Sequence, residues 1–266
     1  MTAINPARLK IQCASLVEKY SNPGGFVTGL HDVLGFYASR IRQTSLSRTN
    51  LTLQTYQVPA PVLRALEKEL DEFLTTDPLQ GLLLVDALWQ EDWVEFRQLA
   101  IILLGNLPSA LAEKILDHIQ TWLGACTAED VRRSILTRGL KRLGREKPAL
   151  VLNFFEELIT VGGKGEYQSV LFGLLPFVDN PAFDNLPVIF DLVSNILMPE
   201  EHILIKEITT LLRALRKRSE QETTYFLVRQ LATAAKPRIF RVIRQILPEF
   251  SDENKALLKE TLQTYV

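Results

Sequence analysis

Apolar residues recur every three or four positions along most of the chain, and they almost never alternate with polar ones. Leu99, Ile102 and Leu103 show this spacing in one segment, and Ile208 and Leu211 show it in another. Such spacing places apolar side chains on one face of an α-helix, whereas a half-buried strand would alternate. Runs of β-branched residues bounded by Asn-Gly or Asp-Gly are missing. The pattern therefore predicts an all-α protein.

The predicted helices come in pairs that repeat at a nearly constant interval. Their starts are separated by 32, 34, 37, 36 and 36 residues and lie near Pro61, Trp93, Thr127, Lys164, Glu200 and Lys236. Each interval divides into two helices, for example 127–143 with 147–161 and 200–217 with 219–233. Stacked antiparallel pairs of this length are typical of α-solenoids. We predict a right-handed α-solenoid of about six HEAT-like helical pairs.

The segment before residue 59 is less regular than the rest. Residues 1–58 predict an N-terminal helical cap with helices near 6–20 and 24–42, followed by a mobile polar loop at 42–50. Residues 59–266 are predicted to form one continuous repeat domain. The start of the chain lacks a basic segment followed by an apolar run, and no long uncharged stretch follows it. We expect a cytoplasmic protein that does not contact membranes.

Composition and cysteine usage narrow the chemistry. The 266 residues are 47% hydrophobic with a formal net charge of −1, which is typical of a soluble globular protein. Cys13 and Cys126 are predicted to be buried thiols, and the three histidines lack ligand-type spacing, so we predict no metal and no cofactor. The segment 162–165, Gly-Gly-Lys-Gly, follows no strand and predicts a helix C-cap in preference to a phosphate loop.

Charge is distributed unevenly between the two helices of each pair. From Trp93 onward the first helices hold fifteen basic and seven acidic residues, whereas the second helices hold five basic and eleven acidic residues. First helices lie side by side in a solenoid, so their cations can form one strip that neutralises DNA phosphates. An acidic protein partner would suit such a strip equally well. The candidate phosphate ligands are Arg132, Arg133, Arg138, Lys141, Arg142, Arg213, Lys217, Arg238, Arg241 and Arg244.

Several runs along the chain resemble the repeats of the AlkD-type DNA alkylation repair glycosylases. These runs are residues 56–66, 84–89, 93–100, 204–213 and 236–244. The resemblance covers about residues 56–265 and implies a HEAT-like solenoid whose basic concave groove holds duplex DNA. It further implies excision of N3- or N7-alkylated purines, with a carboxylate and tryptophans stabilising the oxocarbenium sugar.

The residues that carry excision in that family do not recur at the matching positions. The family's tryptophan and aspartate match Glu129 and Arg133, and Asp130 is a carboxylate displaced from the matching position. The family's arginine falls near Gln168 and its later tryptophan falls at about Thr210. We therefore expect a DNA-binding relative of the alkylpurine glycosylases in which excision activity is absent or uses other residues. The alternative is a non-catalytic scaffold that binds an acidic protein.

Overall fold

The computed structural model describes residues 5–38, 53–126, 128–197, 204–233 and 237–265. Those residues form α-helices joined by short turns, and within them the extended pairing is limited to a single bridge between Gln54 and Trp93. The helices are α1 Pro6–Val17, α2 Pro23–Tyr37, α3 Ala60–Thr76, α4 Pro78–Trp89, α5 Val94–Asn106, α6 Ala112–Ala125, α7 Glu129–Arg138, α8 Lys141–Glu146, α9 Pro148–Val161, α10 Lys164–Asp179, α11 Leu186–Leu197, α12 Ile205–Arg218, α13 Glu220–Thr233, α14 Pro237–Ile246 and α15 Asp252–Tyr265. The predicted all-α helical-repeat class is confirmed.

The helices group into two compact units, residues 1–148 and 149–266. In the first unit, α1, α3, α5 and α7–α8 pack side by side as one layer. Helices α2 and α4 form the second layer with α6, which joins α4 through the stacked rings of Trp89 and Trp122. Because α1 packs on α3 and α2 on α4, the N-terminal cap is a helical pair that continues both layers.

The second unit repeats this arrangement. Helices α10, α12 and α14 form its first layer, and α11, α13 and α15 form its second layer. The apolar face of each helix supplies the core, with Leu211, Leu212 and Leu215 of α12 fully buried. Burial of these faces provides the main driving force for stacking. The prediction of one continuous domain from residue 59 stays a prediction.

Within each unit, polar bonds link several neighbouring pairs of helices. The side-chain bonds that join residues 36 to 39 positions apart, about one repeat, include Asn106 to Glu67, Arg142 to Asn106, Gln168 to Glu207, Thr209 to Gln245, Arg213 to Glu249, and Gln230 to Ser194. We call these six bonds the repeat ladder. It fixes the register between neighbouring repeats, because a shift by one helical turn would break the bonds.

Several predicted helix ends differ from the structure. The predicted helix 127–143 is wrong, because α7 ends at Arg138 and α8 begins at Lys141. The break lies where the backbone of Arg138 approaches Gly105 of α5, and a Cβ at position 105 would sit 1.8 Å from the Arg138 carbonyl oxygen. The predicted helix 24–42 is also too long, because α2 ends at Tyr37 and Ala38 is not helical. The predicted loop 42–50 and the predicted start at Glu200 lie outside the described residues.

Two smaller predictions are confirmed. The segment 162–165 ends α9 and begins α10, with Gly162 at φ 77° and Gly163 at φ 106°, a region that favours glycine. Cys13 and Cys126 are buried free thiols, and burial raises the pKa of Cys13 to about 11. Among the described helices, none alone is long and apolar enough to cross a bilayer; α5 and residues 109–125 would pass only as a pair bent by 101°.

The start of α13 is tied to the start of α15 by one carboxylate. Oε1 of Glu220 accepts hydrogen bonds from the backbone N–H of Ser251 at 2.8 Å and from Nδ2 of Asn254 at 2.7 Å. The Ser251 hydroxyl donates to the same oxygen. These bonds, with a smaller contribution from Arg216, lower the pKa of Glu220 from 4.5 to about 2. The ionised carboxylate therefore stabilises the contact between the two helices.

We expect Glu220→Gln to lower the thermal unfolding temperature at neutral pH, with the difference from the native chain shrinking as the pH falls. The folded-state pKa of Glu220 is depressed, so its stabilisation is present above pH 4.5 and is lost as the pH falls toward 2. Unfolding curves followed by circular dichroism between pH 7 and pH 2 measure this. Glu222→Gln, on the exposed side of the same first turn, is the matched control. An equal difference at every pH would contradict the prediction.

Candidate nucleic-acid interface

A groove lies on the first layer of the unit formed by residues 1–148. Side chains of α3, α5, α7 and α8 enclose a cavity of about 680 Å³. Three cations line it, Arg64 of α3, Arg138 of α7 and Lys141 of α8, together with the carboxylates of Glu67 and Glu95. Arg64 falls outside the predicted set, because the charge comparison started at Trp93. The sequence pattern could have identified Arg64, because it lies on α3 outside the buried positions of that helix.

Glu95 is a buried carboxylate that holds the segment before α3 in place. Its Oε1 accepts hydrogen bonds from the Thr55 hydroxyl at 2.8 Å and from the Gln57 N–H at 2.7 Å. Its Oε2 accepts one from the Tyr56 N–H at 3.1 Å. With 4% of Glu95 exposed, these donors compensate for the loss of hydration. Glu95 thus fixes one wall of the groove.

Two of the predicted phosphate ligands serve as anchors for helix ends. Arg132 donates from Nη1 to the carbonyl oxygens of Leu123 and Cys126, at the end of α6. Arg142 donates to the carbonyl oxygen of Asn106, the last residue of α5, at 3.1 Å. Carbonyl groups at helix ends lack intrahelical donors, and cations are favourable there. These two guanidinium groups therefore hold consecutive repeats together.

Three more predicted ligands are partnered with carboxylates. Arg133 donates to Glu129 at 3.0 Å, one turn earlier on α7, and Arg213 donates to Glu249 at 2.6 Å. The third is Lys141, which lies 3.4 Å from both Glu67 and Asn106 across the groove. Such exposed pairs contribute little to stability, but each places a carboxylate beside the cation. They are weaker phosphate ligands than a cation without a carboxylate neighbour.

Four more of the predicted phosphate ligands are exposed and have no polar partner among the residues that the structure describes. They are Arg138 of α7, Lys217 of α12, and Arg241 and Arg244 of α14. We call these four the free cations. All four lie on first-layer helices. The side chain of the tenth predicted ligand, Arg238, lies outside the described part of the chain.

A family assignment follows from comparison with known proteins. The family described as DNA alkylation repair enzyme matches residues 43–246, which is more than half of the chain. The chain belongs to the DNA alkylation repair enzyme family. The resemblance found in the sequence is thereby confirmed. No curated protein and no solved structure matches the chain.

The matched range contains every first-layer helix from α3 to α14 and all ten predicted phosphate ligands, and it leaves out α1, α2 and α15. This member of the DNA alkylation repair enzyme family therefore carries its free cations on the part of the chain that defines the family.

At the positions that the sequence comparison matches to the family's excision residues, the side chains already form ion pairs or hydrogen bonds. Glu129 and Arg133 form an ion pair with each other at the start of α7. Asp130 is exposed in the same turn. Gln168 of α10 donates to Glu207 at 2.8 Å. Thr210 of α12 is exposed, and its hydroxyl donates to the Lys206 carbonyl one turn earlier.

The aromatic residues of this family member pack against one another. Trp89 and Trp122 stack with ring centroids 3.9 Å apart, and Trp93 stacks on Tyr56 at 4.0 Å. His31 contacts the Tyr56 hydroxyl at 2.7 Å through Nδ1. Among the described residues, no three His, Cys, Asp or Glu side chains are grouped to hold a metal ion. His202 lies outside the described residues.

Proposed function

We propose that this family member binds duplex DNA through its phosphates, using exposed cations on first-layer helices. The observation that carries the proposal is the division of the cations into two kinds. Arg132 and Arg142 donate hydrogen bonds to backbone carbonyl groups. In contrast, Arg138, Arg241 and Arg244 are exposed without a described partner. An unpaired surface guanidinium is free to exchange water for a phosphate oxygen, with release of condensed counterions.

We propose further that excision of alkylated purines has been lost. The family chemistry requires a carboxylate near the sugar that develops positive charge, and the matching position holds Arg133. A cation there opposes an oxocarbenium, and Glu129 already neutralises that cation. The exposed carboxylate of Asp130 is one residue removed and lacks a tryptophan beside it on α7. The protein would therefore bind DNA without cleaving the glycosidic bond.

Binding of duplex DNA across a salt series tests both parts together. One duplex is undamaged and a matched duplex contains a single 7-methylguanine, and base release is measured in the same samples. With three of the free cations in the unit formed by residues 149–266, we expect log K to fall with log salt with a slope of about −3 and no dependence on the lesion. Base release should not exceed that of DNA alone.

Each result has a definite meaning. Base release above the level of DNA alone would show that the residue matching is wrong and that excision is retained. Absence of duplex binding even at low salt would overturn the DNA-binding proposal. The same exposed cations would then favour the scaffold alternative, which a titration with an acidic peptide measures directly.

A further inference from the structure

A second groove lies on the second layer of the unit formed by residues 149–266. It runs between α11 and α13 and encloses about 410 Å³. The rings of Phe190 and Phe226 stack at its floor with centroids 4.9 Å apart, and both are buried. Tyr225 stands at its edge with 71% of its surface exposed. We call this the α11–α13 groove.

The floor of the α11–α13 groove offers no unsatisfied polar group. Gln230, the most buried polar residue in the lining, donates from Nε2 to the Ser194 hydroxyl at 2.9 Å. That bond is part of the repeat ladder, so both side chains are already occupied. An occupant would therefore be held by apolar contact with the aromatic floor and with the ring of Tyr225.

The rim of the groove carries an excess of negative charge. Asp191 of α11 and Glu222 of α13 are exposed carboxylates with no partner in the described parts of the chain. Arg229, which is also exposed, supplies one positive charge. Two carboxylates against one guanidinium favour a positively charged occupant and disfavour nucleic acid.

The length of the groove limits what can lie in it. Lining residues extend from Pro187 to Ser194 on α11 and from Gln221 to Gln230 on α13. At about 1.5 Å per residue these segments are about 10 Å and 14 Å long. A helix of two to three turns has the same length, and a groove between two parallel helical ridges accepts such a helix through residues spaced i, i+3, i+4 and i+7.

We propose that the α11–α13 groove binds a short, basic, amphipathic helix of a protein partner. Its apolar side chains would pack on Phe190 and Phe226 and against Tyr225. Its lysines or arginines would face Asp191 and Glu222. This site lies on second-layer helices, whereas the free cations lie on first-layer helices, so the proposal does not depend on DNA binding.

A fluorescence anisotropy titration tests the proposal with a labelled synthetic helix. The probe is a capped peptide of about sixteen residues with leucines spaced i, i+3, i+4 and i+7, and with lysine and alanine elsewhere. We expect saturable binding by the native chain, weakened about tenfold by Tyr225→Ala. The double variant Asp191→Asn/Glu222→Gln should weaken binding about fivefold at low salt and less at high salt.

Matched controls make the result specific to the groove. Leu257→Ala removes another large exposed apolar side chain, on α15 outside the groove, and should bind like the native chain. A probe with glutamate in place of lysine should not bind. Circular dichroism confirms that each variant is folded, and duplex DNA affinity should be unchanged in Tyr225→Ala.

Three results would overturn the proposal. These are no binding of the basic probe, equal binding of the basic and acidic probes, and equal binding by the Tyr225→Ala and Leu257→Ala variants. Sedimentation equilibrium addresses a second copy of this chain as the occupant. A native dimer that Tyr225→Ala converts to a monomer would show that the groove serves self-association, and the proposed partner would be wrong.

Discussion

The double variant Arg241→Glu/Arg244→Glu is expected to bind duplex DNA about a hundredfold more weakly than the native chain at low salt. Both guanidinium groups are exposed on α14 and have no described partner, so neither contributes an internal bond that the change would break. Loss of two phosphate contacts should also reduce the slope of log K against log salt by about two. Filter binding or anisotropy with an undamaged duplex at three or more salt concentrations measures both quantities.

The matched control changes the same charge on a neighbouring helix. Lys255→Glu/Lys259→Glu replaces two cations of α15, a second-layer helix of the same unit. If the first layer binds the phosphates, this variant should retain nearly native affinity after allowance for its altered net charge. Equal losses in the two double variants would show that net charge alone controls binding, and the assignment of the first layer would be wrong.

Gly105→Ala is expected to destabilise the unit formed by residues 1–148 by about 3 kcal/mol or more. A Cβ at position 105 would lie 1.8 Å from the carbonyl oxygen of Arg138 and 2.8 Å from its carbonyl carbon. Both atoms belong to the backbone, so no rotamer change relieves the overlap. Helix α5 and the end of α7 would have to separate, which would also displace Arg138 from the groove that it lines.

Gly124→Ala provides the control for an added methyl group. Gly124 lies in the last turn of α6, and a Cβ there would meet nothing within 4 Å. Alanine has the higher helix propensity, so this variant should be more stable by about 0.5 kcal/mol. Urea unfolding of both variants measures the difference. A Gly105→Ala variant as stable as the native chain would show that α5 and α7 do not approach as closely as described.

The repeat architecture could be predicted because it depends on local patterns. Each helix buries one face, so the spacing of apolar residues reports the helix itself, and the positions of Pro78, Pro148 and Pro237 mark where helices begin. The break after Arg138 could not be predicted in this way. The break depends on close contact with the backbone of α5, more than thirty positions earlier in the chain. The spacing of hydrophobic residues does not report that contact.

In the candidate interface, too, the sequence predicts only part of what the structure shows about the charged residues. The sequence correctly places cations on first helices, but it cannot separate an anchoring arginine from an exposed one. Arg142 and Arg138 have the same charge and lie four residues apart, yet one donates to the carbonyl of Asn106 and the other lines the groove without a described partner. Only tertiary contacts distinguish them. The sequence does not predict the second groove, on α11 and α13, because Phe190 and Phe226 fit an ordinary core pattern.

The repeat ladder has a consequence for how the chain tolerates changes in length. Each of its bonds joins a residue to a position one repeat away, so their donors and acceptors stay in step only when whole repeats are gained or lost. Excision or duplication of about 36 residues would pair equivalent positions again, whereas a shorter insertion within a helix would misalign the bonds that span the insertion. Evolution of this chain is thus constrained to proceed by modules, with drift in length confined to its turns.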